Sequence, residues 1–206
     1  MDFFKYNNHT GVSSDLYLSA NDKILLKVEN VKYSISQQFF RWFFRDFLRR
    51  AFILGLDARR EHKGYQIVRS AGLKSPDLYC WGVPLSPFNN ILSFMMIEYK
   101  DNLTPGLTYF NSLSESKKVE FMTMLADEAV VLAKYGYVHR DFHLNNFLVE
   151  EGVGLFWIDT HFRKLSIYKK KKWKQLSSSL IDSKLEGEEN KNIILSVFKK
   201  SFDVYS

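Results

Sequence analysis

Three polar residues in the second half of the sequence have the types and the spacing that phosphoryl transfer requires. Asp141 and Asn146 lie five residues apart in the segment 139–146, which reads H-R-D-F-H-L-N-N, and Asp159 follows thirteen residues after Asn146. A carboxylate can orient a hydroxyl group and accept its proton, while amide and carboxylate oxygens are ligands that suit Mg²⁺. We therefore predict that Asp141 activates a substrate hydroxyl and that Asn146 and Asp159 hold the metal ion.

A long amphipathic helix precedes this segment. We predict it from Glu115 to Tyr135, with Ser114 as its N-cap and Gly136 as its C-terminal stop. Its apolar stripe consists of Val119, Met122, Ala126, Ala129, Val130 and Ala133. Such a stripe is typical of a helix that packs into a core.

Short strands surround the polar segment 139–146. One is predicted at 137–138, and two more at 147–149 and 155–158 flank a turn that contains two glycines. Asp159 therefore falls at the end of an apolar strand, after a hairpin.

The first half of the sequence predicts a second group of elements. Two strands at 16–18 and 24–28 are joined by a polar turn, so Lys27 lies within a strand. A helix from Asp57 to Ala71 carries Glu61 in its first turns. A further apolar strand runs from Ile91 to about Tyr99, and the polar segment 100–106 after it resembles a connector between lobes.

The segment 139–146 has the form H-R-D-x-x-x-x-N, which is the catalytic-loop pattern of protein kinases. The chain resembles the protein-kinase-like superfamily, and within it the bacterial lipopolysaccharide core kinases that phosphorylate heptose or Kdo. The resemblance covers about residues 11 to 165. The matching residues are Lys27, Glu61, 135–149 and 157–160.

This resemblance implies a single α+β domain with the bilobal protein-kinase-like fold. A small β-rich N-lobe would comprise residues 1–99, and a reduced helical C-lobe would comprise residues 100–206 with a basic C-terminal segment. The cofactors would be ATP and Mg²⁺. The acceptor would be a sugar hydroxyl on a membrane-embedded glycolipid, the lipopolysaccharide core.

The resemblance also implies contacts with ATP. Lys27 would touch the α- and β-phosphates with Glu61 as its ion-pair partner, although Glu29 and other charged residues are rivals for that position. Gly11 begins the only candidate turn that could cover the phosphates. The backbone near Glu98 and Lys100 would bind the edge of the adenine.

Several features depart from the protein-kinase pattern. The sequence has no G-x-G-x-x-G, residues 159–161 read D-T-H instead of D-F-G, and no A-P-E follows. His143 stands where protein-serine kinases usually carry a lysine, as in the aminoglycoside phosphotransferases, and is a candidate contact for substrate or phosphate. These changes indicate a substrate other than a protein.

Other functions are compatible with the same residues. A soluble small molecule or a protein is the alternative acceptor, and a pseudokinase that binds without transferring phosphate is the alternative from another class. A zinc site built from His139, His143 and His161 lacks the spacing of known zinc motifs. We interpret His139 and Arg140 as mainly structural.

Two basic segments could meet an anionic surface. Residues 39–50 interleave aromatic residues with arginines, among them Arg41, Arg45 and Arg49, and form either a buried helix or a membrane contact. The lysine run 169–172 is typical of a solvated face or a flexible stretch.

The composition limits the class of protein. The longest apolar runs are too short to cross a bilayer, the N-terminus has no signal-peptide pattern, and a single cysteine, Cys80, cannot form an internal disulfide. We therefore expect a cytoplasmic protein, with peripheral contact at the inner membrane as an open alternative. The net charge of +6 favours an anionic partner; we expect the glycolipid and not nucleic acid, and the oligomeric state is left open.

Overall fold

The structure is a computed structural model that describes residues 2–5, 14–33, 36–48, 56–86 and 88–202, without the side chain of Arg45. The chain divides into two compact units. The N-terminal unit comprises Met1–Tyr65 and Pro76–Asp101, and the C-terminal unit comprises Gln66–Ser75 and Asn102–Ser206. Helices and antiparallel strands together confirm the predicted α+β class.

A five-stranded antiparallel sheet is the main feature of the N-terminal unit. Its strands are β1 (Phe3–Lys5), β2 (Ser14–Ser19), β3 (Ile24–Asn30), β4 (Leu78–Gly82) and β5 (Ile91–Glu98), in the spatial order β1-β2-β3-β5-β4. The predicted hairpin is the β2–β3 pair. Its turn contains Asp22 at a φ of 53°, and the Ile24 amide donates to Ser19 Oγ at 3.0 Å.

The aromatic and basic segment of this unit is helical over its described residues and buries the side chains of Trp42 and Asp46. Helix α1 (Phe39–Arg41) continues into a π-helical turn at Trp42–Phe47. Trp42 is only 4% exposed, whereas Phe39, Phe40 and Phe44 are 52%, 75% and 66% exposed. The alternative of a helix with its phenylalanines buried is therefore wrong for these three side chains, whereas Phe43 and Phe47 are partly buried.

Helix α2 (Asp57–Ser70) agrees with the helix predicted from Asp57 to Ala71. Ala58 and Tyr65 on this helix pack with Met95 and Ile97 on β5 to form a small core. Glu61, on the same helix, is 2% exposed. The helix therefore holds an acidic side chain inside this unit.

The C-terminal unit is mainly helical and contains two small antiparallel sheets. Its helices are α3 (Gly106–Ser112), α4 (Glu115–Lys134), α5 (Lys169–Ser177) and α6 (Glu188–Ser201), with 3₁₀-helices at Leu144–Asn146 and Asp182–Lys184. Its strands are β6 (Thr104–Pro105), β7 (Tyr137–His139), β8 (Phe147–Glu150), β9 (Gly154–Trp157) and β10 (Phe162–Lys164). Strand β7 pairs with β10, and β8 lies between β6 and β9.

Helix α4 is the centre of the core of this unit. Five of the six predicted stripe residues are buried, but Val119 is 51% exposed, so the stripe begins one turn later than predicted. Ser114 occupies the N-cap position without a side-chain cap hydrogen bond. Gly136 follows the helix at a φ of 93°, a conformation that glycine adopts without strain.

The segment after Ser166 contains more regular structure than predicted. We expected only one helix, at 193–202, but α6 begins at Glu188 and packs against α4, and α5 contains the lysine run. Leu176 on α5 is 1% exposed and Trp173 packs against the same core, so two side chains tie this mostly polar helix to the core. The lysine run lies on this helix with Lys169, Lys170 and Lys171 exposed, which fits the expected solvated face and not a flexible stretch.

Among the residues that the structure describes, no helix has the length and apolar character to cross a bilayer.

Candidate active site

Buried aromatic and aliphatic side chains hold the loop that connects β7 to β8. Phe142, Leu144 and Phe147 are at most 2% exposed, and Phe147 contacts Trp157 on β9 with ring centroids 4.7 Å apart. Gly106 lies so close to the loop that an added Cβ would be 2.5 Å from the Leu144 carbonyl oxygen. The polar residues of this loop therefore project from a tightly packed support.

Asp141 presents its carboxylate at the surface of the loop. Its side chain is 48% exposed, Lys184 Nζ donates to Oδ1, and His143 Nε2 lies 3.8 Å from Oδ2. The carboxylate is thus accessible to an incoming hydroxyl group and is flanked by two nitrogen-bearing side chains. This geometry suits a group that orients a hydroxyl and accepts its proton.

His139 connects the two predicted catalytic segments. Its Nδ1 accepts a hydrogen bond from the Asp141 amide at 3.1 Å, so the ring proton is on Nε2, which donates to the Asp159 carbonyl at 2.9 Å. Burial lowers the pKa of His139 to about 4, against the smaller opposing effect of the Asp159 carbonyl. At neutral pH the ring is therefore uncharged, in the one tautomer that makes both bonds.

Asn146 is buried beneath the loop and is fixed by its amide nitrogen. Nδ2 donates to the Asp141 carbonyl at 2.7 Å, and the Asn146 carbonyl accepts a hydrogen bond from the Ile158 amide at 3.0 Å. The first bond identifies the nitrogen end of the amide, so Oδ1 is the end that can act as a metal ligand. The second bond places the residue before Asp159 directly against Asn146.

Asp159 follows β9 in a left-handed conformation. Its φ is 49°, which costs an L-residue energy that aspartate and asparagine tolerate better than most. The side chain is 48% exposed, with Oδ1 3.9 Å from His161 Nε2. The chemistry of an exposed carboxylate and an amide oxygen fits Mg²⁺, which prefers oxygen ligands and retains several waters.

His143 is uncharged at neutral pH. Burial lowers its pKa, and the opposing attraction of Asp141 is partly offset by Lys184. The ring can therefore accept or donate a hydrogen bond but does not supply a positive charge to the loop.

In the N-terminal unit the structure brings Lys27 and Glu61 together. Lys27 lies on β3 between Leu16 of β2 and Met95 of β5, and its Nζ donates to Glu61 Oε1. Glu29, the rival considered for this position, instead accepts hydrogen bonds from Ser93 Oγ and the Asp57 amide. The strand and helix that were predicted separately thus meet in an ion pair.

The remaining predicted residues lie in the N-terminal unit. Glu98 ends β5, its amide donates to the Asp77 carbonyl, and its Oε2 lies 3.7 Å from Lys100 Nζ. Arg41 is exposed, with its guanidinium carbon 6.0 Å from the centroid of the Tyr33 ring. Gly11, Arg49 and the side chain of Arg45 lie outside the described part of the chain.

Sequence reasoning missed Lys184, which donates to the proposed base from 43 residues downstream. It also missed Glu128 on α4, whose Oε2 accepts a hydrogen bond from Trp157 Nε1 at 2.6 Å. Burial raises the pKa of Glu128. Neither residue belongs to a local pattern, so only the three-dimensional arrangement identifies them.

Comparison with protein-family models and with curated proteins gives no match to the sequence. Among solved structures, WaaP in complex with acyl carrier protein is similar over 95% of this chain and 78% of its own, with a TM-score of 0.59 and 16% identity. The bifunctional kinase-methyltransferase WbdD is similar over 100% of this chain and 47% of its own, with a TM-score of 0.58 and 13% identity. This chain thus spans just under half of the WbdD chain. Because these identities are low, the similarity establishes the fold alone. The chain has the protein-kinase-like fold that its sequence motifs predicted, and it shares this fold with WaaP and WbdD.

Proposed function

We propose that this chain is an ATP- and Mg²⁺-dependent kinase that phosphorylates a sugar hydroxyl, of heptose or Kdo, in lipopolysaccharide core. One observation carries the proposal. Asp141, Asn146 and Asp159 are joined within one unit by the Asn146–Asp141 bond, the Ile158–Asn146 bond and the His139 ring that bonds to both aspartates. A proton acceptor and two oxygen ligands are therefore held in a fixed mutual arrangement.

Each residue has a defined task in this mechanism. Asp141 orients the acceptor hydroxyl and takes its proton, and Asn146 and Asp159 would hold Mg²⁺ through their side-chain oxygens. ATP would supply the phosphoryl group, and Mg²⁺ would neutralise part of its charge. By the sequence resemblance, Lys27, kept in place by Glu61, would bind the phosphates of ATP, and the backbone near Glu98 and Lys100 would bind adenine. Catalysis is then mainly positioning and electrostatics.

The identity of the acceptor is supported by the sequence resemblance. The motifs resemble those of lipopolysaccharide core kinases, and the D-T-H at 159–161 with no A-P-E after it distinguishes the chain from protein kinases. WbdD, one of the proteins with a similar fold, is described as a bifunctional kinase-methyltransferase. Peripheral contact with the inner membrane through Arg41, Arg45 and Arg49 belongs to the same proposal, because the acceptor glycolipid is embedded in a bilayer.

The direct test is transfer of labelled phosphate from Mg²⁺-ATP to core glycolipid. Asp141→Asn should abolish transfer without unfolding the chain. The matched control is Asp127→Asn, which makes the same change at an exposed position of α4 and should transfer at the wild-type rate. Undiminished transfer by Asp141→Asn would refute the assigned role of this residue.

Two further measurements separate the alternatives. Mass spectrometry of core glycolipid from cells with and without the gene should show one phosphate group that depends on it, and an unchanged core would favour a soluble small molecule or a protein as acceptor. A thermal-shift assay with ATP, with and without Mg²⁺, should show stabilisation. Absence of stabilisation by ATP under both conditions would favour the pseudokinase.

The membrane contact has its own test. Wild-type protein should sediment with anionic vesicles, and the triple variant Arg41→Ala, Arg45→Ala, Arg49→Ala should remain in the supernatant, because basic residues near the surface supply the attraction to anionic lipid. Equal sedimentation of the two proteins would refute this part of the proposal.

A further inference from the structure

A lysine from the C-terminal segment contacts the proposed catalytic base. Lys184 Nζ donates to Asp141 Oδ1, and the lysine side chain is 38% exposed. An ion pair with this much exposure contributes little to stability, because solvent screens it and the side chains lose freedom. The stability of the fold therefore does not explain why this lysine reaches the loop.

Other contacts position the turn that carries Lys184. Leu180, just before the turn, forms a parallel bridge with Phe142 of the catalytic loop, and both side chains are at most 3% exposed. Leu185, just after it, is completely buried. The backbone at Lys184 is thus anchored to the catalytic loop through Leu180 and to the core through Leu185.

Polar contacts add to this anchoring. The Asp182 carbonyl accepts hydrogen bonds from the amides of Leu185 and Gly187, both at 3.0 Å. Lys191 Nζ lies 2.7 Å from Asp182 Oδ1, and Asn190 Nδ2 donates to the Leu185 carbonyl at 2.8 Å. The backbone is therefore held independently of the lysine head group, which can change partners.

The proposed phosphoryl transfer brings additional negative charge close to the Asp141 carboxylate. The acceptor oxygen forms a bond to the γ-phosphorus of ATP, while the bond from that phosphorus to the bridging oxygen breaks and its electron pair leaves with ADP. The hydroxyl proton passes to Asp141. Three charged phosphoryl oxygens therefore approach a carboxylate that is itself negative until it takes the proton.

His143, the other nitrogen-bearing side chain at this carboxylate, is uncharged at neutral pH and cannot offset that charge. A lysine is a compact positive charge on a flexible stem, and Nζ can move from Asp141 Oδ1 to a phosphoryl oxygen without displacing the backbone. A positive charge placed where negative charge develops lowers the barrier.

We propose that Lys184 is a catalytic residue, which holds Asp141 before the reaction and contacts the transferring phosphoryl group during it. This inference rests on the proposed function and deepens it. It assigns a catalytic part to the C-terminal 3₁₀-helix at Asp182–Lys184, outside every motif that identified the site.

The test compares Lys184→Met with Lys170→Met, which removes an exposed lysine on α5. Lys184→Met should lower kcat about 100-fold, the usual effect of removing one group that stabilises transition-state charge, and leave the KM for ATP within about twofold. Lys184→Arg should recover part of the rate because it keeps the charge. Lys170→Met should match the wild type.

A binding measurement separates this inference from the proposed function. With Mg²⁺, Lys184→Met should bind ADP as the wild type does but bind ADP with aluminium fluoride, a mimic of the phosphoryl group in transit, about 100-fold more weakly. If Lys184→Met and Lys170→Met lose the same fraction of kcat and of affinity for ADP with aluminium fluoride, the role of Lys184 is overturned and the proposed kinase activity still stands. A higher kcat in Lys184→Met would also overturn it, because the lysine would then be an inhibitory contact.

If the wild type binds no nucleotide, the proposed function and this inference both fail. Should Lys184→Met not fold, Lys184→Gln carries the same expectation, because glutamine keeps a donor for Asp141 but has no charge.

Discussion

The buried histidine beneath the catalytic loop predicts a specific loss of stability in mild acid. The pKa of His139 is about 4 in the folded chain against 6.5 for an ordinary histidine, so the unfolded chain binds a proton at a higher pH than the folded chain does. The contribution of the neutral His139 ring to the free energy of unfolding is complete above pH 6.5 and is lost as the pH falls from 6.5 towards 4. Protonation of the ring would also remove the acceptor on which the Asp141 amide depends.

The expected size follows from these two pKa values. Because one pKa unit corresponds to about 1.4 kcal/mol, the free energy of unfolding should fall by about 2 kcal/mol between pH 7.5 and pH 5 from this group alone. Other groups titrate in the same pH range. The informative quantity is therefore the difference in the free energy of unfolding between wild type and His139→Gln, because the contributions of the other groups cancel in it.

The assay is urea unfolding followed by circular dichroism at pH 7.5, 6 and 5, in buffer with EDTA to exclude metal. The variant should be the less stable protein at pH 7.5, because it loses the two hydrogen bonds that the ring makes. The stability advantage of the wild type should then shrink by about 2 kcal/mol by pH 5. Two parallel stability curves would show that His139 is not buried in its neutral form, and the hydrogen bonds assigned to its ring would be wrong.

Three further substitutions have defined outcomes. Gly106→Ala should cost about 2 kcal/mol or more in urea unfolding, because its Cβ would lie 2.5 Å from the Leu144 carbonyl oxygen; no loss would show that the close approach is not real. Asp159→Gly should abolish transfer yet unfold at equal or higher urea, because glycine removes about 1 kcal/mol of strain at a φ of 49°. Lys27→Met should cost about 3 kcal/mol by leaving the buried Glu61 without its lysine, and adding Glu61→Gln should recover much of that loss; a double variant no more stable than the single one would contradict the buried pair.

The parts of the fold that the sequence predicted are those with a local signal. Helix α4 combines a long apolar stripe with a glycine stop, and the β2–β3 hairpin combines two apolar runs with a polar turn. The helix with Lys169 at its start was missed because four lysines hide any apolar period, and only Trp173 and Leu176 face the core. Val119 was assigned to the stripe because spacing does not show where along a helix the packed neighbours begin.

The candidate site divides in the same way. Asp141, Asn146 and Asp159 are predictable because a short loop and a hairpin place them at fixed separations along the chain. The ion pair between Lys27 and Glu61 required two separately predicted elements to pack together, so the sequence could only offer Glu61 as one of several acidic residues. Lys184 offered no signal, because its contact with the loop depends on how a polar segment folds back over 43 residues.

The bridge between Phe142 and Leu180 has a practical consequence for recognising relatives of this protein. A gene with a premature stop after codon 177 would still encode every letter of the catalytic motif and both strands of the hairpin. Its product would lack Leu180, which bridges to Phe142, and the loop would lose one of its buried supports. A count of functional genes that uses the motif alone would therefore include such truncated genes, and a reliable count also has to require the sequence as far as Leu185.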